Sequence, residues 1–232
     1  MERRNYQLQW SSKDLGNETI IDIGNIKGDG SPIIAAGATS ERSSKGSNLY
    51  LFQHFGNSYH QISDTPIADK GIYCIKVFDI DRDGADEIIV GCGRNIYIYK
   101  YQANRLVRIC ESDIFPGNVI SIAIGDIDRD GKLEIVISIK GSKKIFIYRY
   151  DGKLIFVKES VFDYTVCSVA IGDTDGDGRL EVVVKTRNII YVMEFTDGKH
   201  RKKWHTHITG SKDRFLIVKD FNKDGICEII CE

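Results

Sequence analysis

Apolar residues recur along this chain in short bursts, not at the three-to-four spacing of a helical face. Val119–Ile124 (VISIAI) and Glu134–Ile139 (EIVISI) are rich in β-branched residues and flanked by Gly, Asp and Lys. Such runs predict strands. A turn at Lys140–Lys144 leads to Ile145–Tyr150, where Ile, Phe and Tyr alternate. Asp151-Gly152, a strong hairpin dipeptide, precedes the run Lys153–Lys158. One unit therefore holds four antiparallel strands.

The unit repeats, and its marker is a nine-residue acidic loop between the first two strands. Asp126-Ile-Asp128-Arg-Asp130-Gly131-Lys-Leu-Glu134 has three alternating carboxylates, a turning glycine and a closing glutamate. That is the chemistry of a cage for a hard cation, because Ca²⁺ prefers 6–8 oxygen ligands. Similar loops start at Asp79, Asp173 and Asp220, and a worn one starts at Asn25. Their starts at 25, 79, 126, 173 and 220 are spaced by 54, 47, 47 and 47 residues. A fixed period filled by four short strands predicts a radial repeat. The fold expected is all-β: a five-bladed β-propeller with four strands per blade. A solenoid of stacked strands is the alternative, although its rungs are usually shorter.

A single domain, 1–232, is expected, with blades at about 17–63, 72–111, 119–159, 166–208 and 213–232. Trp10 precedes its acidic loop by 15 residues and Trp204 precedes the next by 16, which puts residues 5–12 in the outer-strand slot. The last blade is thus expected to be closed by this N-terminal strand, hiding sheet edges. Its third strand is missing, so the closing blade has three strands or the chain is part of a longer one.

Composition adds to this picture. The formal charge of −1 hides a segregation, since 17 of the 33 acidic residues lie in the five loops. Six cysteines, none in a Cys-x-x-Cys pair, mostly sit in apolar runs and are read as buried free thiols. With no signal-like N-terminus and no membrane-length apolar stretch, a cytoplasmic location is expected.

The pattern Gly-Asp-x-Asp-x-Asp-Gly-x-x-Glu-Ile-Val-Val resembles the FG-GAP or VCBS-type repeat of integrin α-subunit propellers and bacterial propellers. It runs through Gly125–Val136 and Gly172–Val183, and Phe78 replaces the first glycine of the second loop. Phe-Gly and Gly-Ala-Pro elements are mostly absent, with Ala36-Gly37-Ala38 a partial echo, so integrin-like ligand recognition is not implied. The resemblance implies Ca²⁺ held by side chains at loop positions 1, 3, 5 and 9 and by the carbonyl at position 7. Carried over, site two is Asp79, Asp81, Asp83, Glu87 and the Ala85 carbonyl. Site three is Asp126, Asp128, Asp130, Glu134 and Lys132. Site four is Asp173, Asp175, Asp177, Glu181 and Arg179. Site five is Asp220, Asn222, Asp224, Glu228 and Ile226, weakened by its asparagine. The first loop, Asn25–Ile33, has Lys27 and Ile33 where ligands belong; it is expected to hold no Ca²⁺, with the Lys27 ammonium standing in. Up to four structural Ca²⁺ ions are thus expected, solvated acidic turns being the plainer alternative.

Loops between second and third strands must gather on the face opposite the acidic loops. They carry Arg42, Lys45, Arg94, Lys140, Lys143, Lys144, Lys185 and Arg187 against Glu41, and the blade-to-blade loops add Phe115, Phe162, Tyr164 and His207. A protein or glycan partner is expected there, nucleic acid less so; basic turns that merely aid solubility are the alternative. No nucleophile motif or phosphate loop is present, and His200, His205 and His207 are read as solvated or packed. The function expected is non-catalytic binding or scaffolding. A carbohydrate-binding propeller is the first alternative, and a lyase- or hydrolase-like enzyme the second.

Overall fold

The computed structural model describes residues 10–15, 18–38, 47–68, 70–196, 199–209 and 215–231. Among them are eighteen strands and no helix. Sheet one comprises β1 (Thr19–Gly24), β2 (Ile33–Ala38), β3 (Ser47–Phe55) and β4 (Ser58–Ala68). Sheet two comprises β5 (Ile72–Phe78), β6 (Glu87–Cys92), β7 (Asn95–Gln102) and β8 (Arg105–Glu111). Sheet three comprises β9 (Val119–Gly125), β10 (Glu134–Ile139), β11 (Lys144–Tyr150) and β12 (Leu154–Val161). Sheet four comprises β13 (Val166–Gly172), β14 (Glu181–Thr186), β15 (Ile189–Thr196) and β16 (Lys199–His207). Sheet five holds only β17 (Leu216–Lys219) and β18 (Glu228–Cys231). Each sheet is an antiparallel meander with strands in sequence order. The expectation of four strands in every repeat thus meets four complete sheets and, among the described residues, a two-stranded fifth.

First strands of successive sheets stand side by side, β1 by β5, β5 by β9, β9 by β13 and β13 by β17. All five line one cavity of about 570 Å³, from Ile20 through Ile75, Ile122 and Val169 to Ile217. The second strands read as unbroken apolar runs because both their faces are covered. In β6, Ile88 and Val90 join the core shared with sheet one, while Ile89 joins the core shared with sheet three. In β14, Val182 and Val184 face sheet three and Val183 faces sheet five. Successive side chains point to opposite faces of a strand, so a sheet packed on both sides needs apolar residues at both registers.

Glycine before the acidic loop answers to this stacking. A Cβ on Gly125 would lie 2.9 Å from Ile171 and 3.0 Å from Leu180, and one on Gly172 would lie 2.6 Å from Val218. Here the next sheet approaches too closely for any side chain.

The closing strand expected at 5–12 falls mostly outside the described residues. Trp10, its anchor, packs on Phe52 and Tyr59 of sheet one, with ring centroids 5.4 and 5.3 Å apart. Trp204 on β16 is half exposed.

Sheets three and four also meet through polar side chains. Ser160 on β12 hydrogen-bonds His200 Nδ1 on β16, while Nε2 is buried without a hydrogen-bond partner. Burial, aided by the Lys158 charge, lowers the His200 pKa to about 4. A histidine whose folded pKa lies below its unfolded value of about 6.5 leaves stability intact above pH 6.5 and removes it as pH falls towards the folded pKa. Chemical denaturation from pH 8 to pH 4 is expected to show wild type losing stability relative to His200→Asn only below about pH 6.5. A pH-independent difference would contradict this.

Candidate metal centres

Each acidic loop is built by its own side chains before any ligand is considered. The residue at loop position 1 accepts the amide of position 6 in all five. These bonds are Gly30 N–H to Asn25 Oδ1 at 2.8 Å, Gly84 to Asp79 at 3.0 Å, Gly131 to Asp126 at 3.0 Å, Gly178 to Asp173 at 2.7 Å and Gly225 to Asp220 at 2.9 Å. The aspartate at position 5 accepts the amide of position 7. The donors are Ser31, Ala85, Lys132, Arg179 and Ile226, at 2.8, 3.0, 2.8, 2.8 and 2.9 Å. Position 6 is glycine because its φ lies between +77° and +92° in every loop, the left-handed region open to glycine. Even the worn first loop keeps this scaffold.

The glutamate at position 9 ties loop to sheet. Glu87, Glu134 and Glu181 are 0, 1 and 0 % exposed at the start of the second strand. In each, Oε2 accepts the amide of loop position 2: Ile80 at 3.1 Å, Ile127 at 3.1 Å and Thr174 at 2.8 Å. Glu228 does the same for Phe221 at 2.9 Å in the fifth loop.

The other oxygen, Oε1, faces a donor from the protein. In loop two, Lys100 Nζ on β7 lies 2.6 Å from Asp81, 2.6 Å from Asp83 and 2.9 Å from Glu87. In loop three, Arg149 on β11 reaches Asp128 at 3.2 Å, Asp130 at 3.0 Å and Glu134 at 2.7 Å. In loop four, Lys203 pairs with Asp175 and, at 3.1 Å, with Glu181. In loop five, Asn222 Nδ2 bridges Asp224 Oδ2 at 3.0 Å and Glu228 Oε1 at 2.8 Å. The first loop reverses the arrangement: Lys27, inside the loop, donates to Gln53 Oε1 on β3 at 2.6 Å.

Register explains these positions. Glu134 pairs with Arg149 across β10 and β11, and Ile33 with Gln53 across β2 and β3. Pairing of Ile88 with Tyr99 and of Val182 with Met193 sets Lys100 and Glu194 at the same third-strand place. In sheet four that place is acidic, and Glu194 takes Arg179 at 3.1 Å. The cation comes instead from Lys203, at a register shift between β15 and β16 where the bulge re-aims its side chain into the loop. Lys100, Arg149 and Lys203 escape a motif search because they lie on other strands. For Lys100 and Arg149 the sequence signal is a basic residue opposite the loop glutamate in the next strand; Lys203, on the fourth strand, has no such signal.

Electrostatics follow the geometry. Burial pushes the Glu87 and Glu134 carboxyls up, and the hydrogen bonds from Lys100 and Arg149 oppose it. Burial works against the charged Lys100 and Lys203, but their carboxylate hydrogen bonds outweigh it and raise both. Lys100 holds Asp83 below the usual carboxylate range, and Lys203 does so for Asp175.

Three groups bring carboxylate oxygens within 4.8 Å of one another: Asp79, Asp81 and Glu87; Asp126, Asp128 and Glu134; Asp173, Asp175 and Glu181. These all-oxygen sets could hold a metal ion, and their chemistry fits a hard cation. Among the described residues the fifth loop forms no such group. The FG-GAP-like repeat matches residues 79–137 and again 126–184. Residues 79–184 are FG-GAP-type repeats. Each match runs from the head of one acidic loop through the strand leaving the next, so the FG-GAP unit recorded here is the loop with its sheet. No curated protein matches the chain.

At Gly131 a Cβ would meet nothing within 4 Å, so the cost of adding one is that of its φ of +83° alone. Gly131→Ala is expected to lower stability by about 1–2 kcal/mol in urea unfolding. An unchanged midpoint would show that the turn is not constrained as described.

Proposed function

We propose that the five sheets are blades of a ring-shaped propeller, closed by the N-terminal strand, and that it acts as a non-catalytic binding or scaffold module. The shared cavity lined by all five first strands supports the ring. Trp10 supports the closure. It rests on the third and fourth strands of sheet one, as Lys158 and Ser160 of β12 rest on Phe195 and His200 of β15 and β16. The acidic loops support a structural role for their chemistry, because their carboxylates bind the loops' own amides. A reducing compartment suits six free cysteines.

The partner surface proposed is the face opposite these loops, and the exposure of its cations carries this reading. Lys140, Lys143 and Arg187 are exposed at turns between second and third strands. Burial narrows the set drawn from sequence. Lys185 is fully buried, being still inside β14 on the side of Val183, and Phe115 and Phe162 are 5 and 8 % exposed. Those two rings pack on Tyr148 and Tyr191, because the blade-to-blade loops fold back onto third strands. Lys144 is paired with Glu159 at 2.6 Å, and Arg94 donates to the Phe115 carbonyl at 2.6 Å. Arg42 and Lys45 lie outside the described residues. Tyr164 and His207 are also exposed. An acidic protein surface is the partner this face fits.

Capture of native-lysate proteins on immobilised wild type and on the triple variant Lys140→Glu, Lys143→Glu, Arg187→Glu tests the reading. Wild-type capture is expected to fall about tenfold in the variant and to weaken with salt. Equal, salt-independent capture by both would overturn it.

A further inference from the structure

We propose that the acidic loops are stapled by the protein's own donors, and that this chain holds its fold without Ca²⁺. The observation is a count of oxygens. In loop two the four carboxylates offer eight; seven meet an amide or the Lys100 ammonium at 3.3 Å or less, and the eighth, Glu87 Oε1, has only an ion pair with Lys100 and no hydrogen bond. Asp79 Oδ1 and Oδ2 accept Asp83 and Gly84 amides at 3.1 and 3.0 Å. Asp81 Oδ1 and Asp83 Oδ1 accept the amides of Asp83 and Ala85 at 3.3 and 3.0 Å. Glu87 Oε2 accepts the Ile80 amide at 3.1 Å. The remaining three, Asp81 Oδ2, Asp83 Oδ2 and Glu87 Oε1, surround Lys100 Nζ at 2.6, 2.6 and 2.9 Å. An ammonium has three protons, and here three carboxylates lie within 2.9 Å of it, Asp81 as a hydrogen-bond acceptor and Asp83 and Glu87 as ion pairs. Its nitrogen stands beside three of the four side chains that would hold a metal in this loop.

Loop three reaches the same end with a guanidinium. Arg149 Nε and Nη2 donate to Glu134 Oε1 at 2.9 and 2.7 Å, and Nη2 also reaches Asp128 and Asp130. Only Asp126 Oδ1 is buried there without a hydrogen-bond donor. Loop four uses Lys203 from a different strand and a bulge, and loop five an asparagine amide. Different groups from different places bring an N–H to the same oxygen of the same glutamate. A single side chain falling into an acidic pocket would not recur in four forms. Ca²⁺ in loops two to four would compete with a largely buried cation for the same glutamate oxygen.

The test is thermal melting of the full chain in chelator and in millimolar CaCl₂, for wild type, Lys100→Met and Arg149→Met. Wild type is expected to melt at the same temperature in both. Each variant, with a buried glutamate left unpaired, is expected to melt lower in chelator and to recover by about 5 °C or more in CaCl₂. Arg149→Lys is expected to restore Ca²⁺ independence, which a merely space-filling role for Arg149 would not predict. A wild-type midpoint that rises with Ca²⁺ as much as the variants' would overturn the proposal. Should the methionine variants fail to fold, wild type alone decides: a midpoint unchanged by chelator supports the proposal, and one lowered by about 5 °C or more defeats it.

Discussion

A buried glutamate, placed where an acidic turn enters a sheet, sets the terms for the rest of the three middle repeats. Burying a carboxylate costs several kcal/mol unless both oxygens find donors, and removing one partner of such a group is more damaging than never having built it. Glu87, Glu134 and Glu181 meet that demand in two directions. One oxygen takes an amide two residues into the loop, which fixes how the chain enters the turn. The other takes a cation from a later strand, which fixes the sheet's register against the loop. Local turn and sheet pairing are thus joined at one carboxyl group.

The same demand explains why the loop scaffold survives where its acidity does not. In the first repeat the ninth position is Ile33, fully buried, so no carboxylate needs a cation. Lys27 has moved into the loop and donates outward to Gln53, at the third-strand place held elsewhere by Lys100 and Arg149. The bonds from positions 1 and 5 remain, because they depend only on an oxygen at the right place and a left-handed residue after it. The turn is therefore the constant part of the repeat, and the charge pattern is one of several ways to anchor it.

What the sequence could reveal follows from this division. The loops, strand order and period of 47 residues were legible because each is encoded within a few neighbouring residues. The glycine before the loop was legible as a motif but not as a cause, since its reason is a side chain on the next sheet, such as Ile171 against Gly125. The cations were not legible. Arg149 lies 15 residues from Glu134, and Lys203 lies 22 from Glu181 on a bulged fourth strand. Likewise, reading Lys185 and Phe115 as surface groups failed because loop membership alone does not decide exposure; a strand one residue longer, or a loop folded back, buries them.

The distribution of satisfied and unsatisfied charge then separates the two faces. On one, carboxylates already accept the loops' own amides and internal cations. On the other, Lys140, Lys143 and Arg187 stand exposed at tight turns whose backbones the sheet already holds. A charge held on a rigid turn loses little entropy when it meets a partner, whereas a charge already paired must first be freed. The acidic loops draw the eye in the sequence, yet their carboxylates are engaged in holding the loops to the sheets, which is why recognition is proposed for the plainer basic turns.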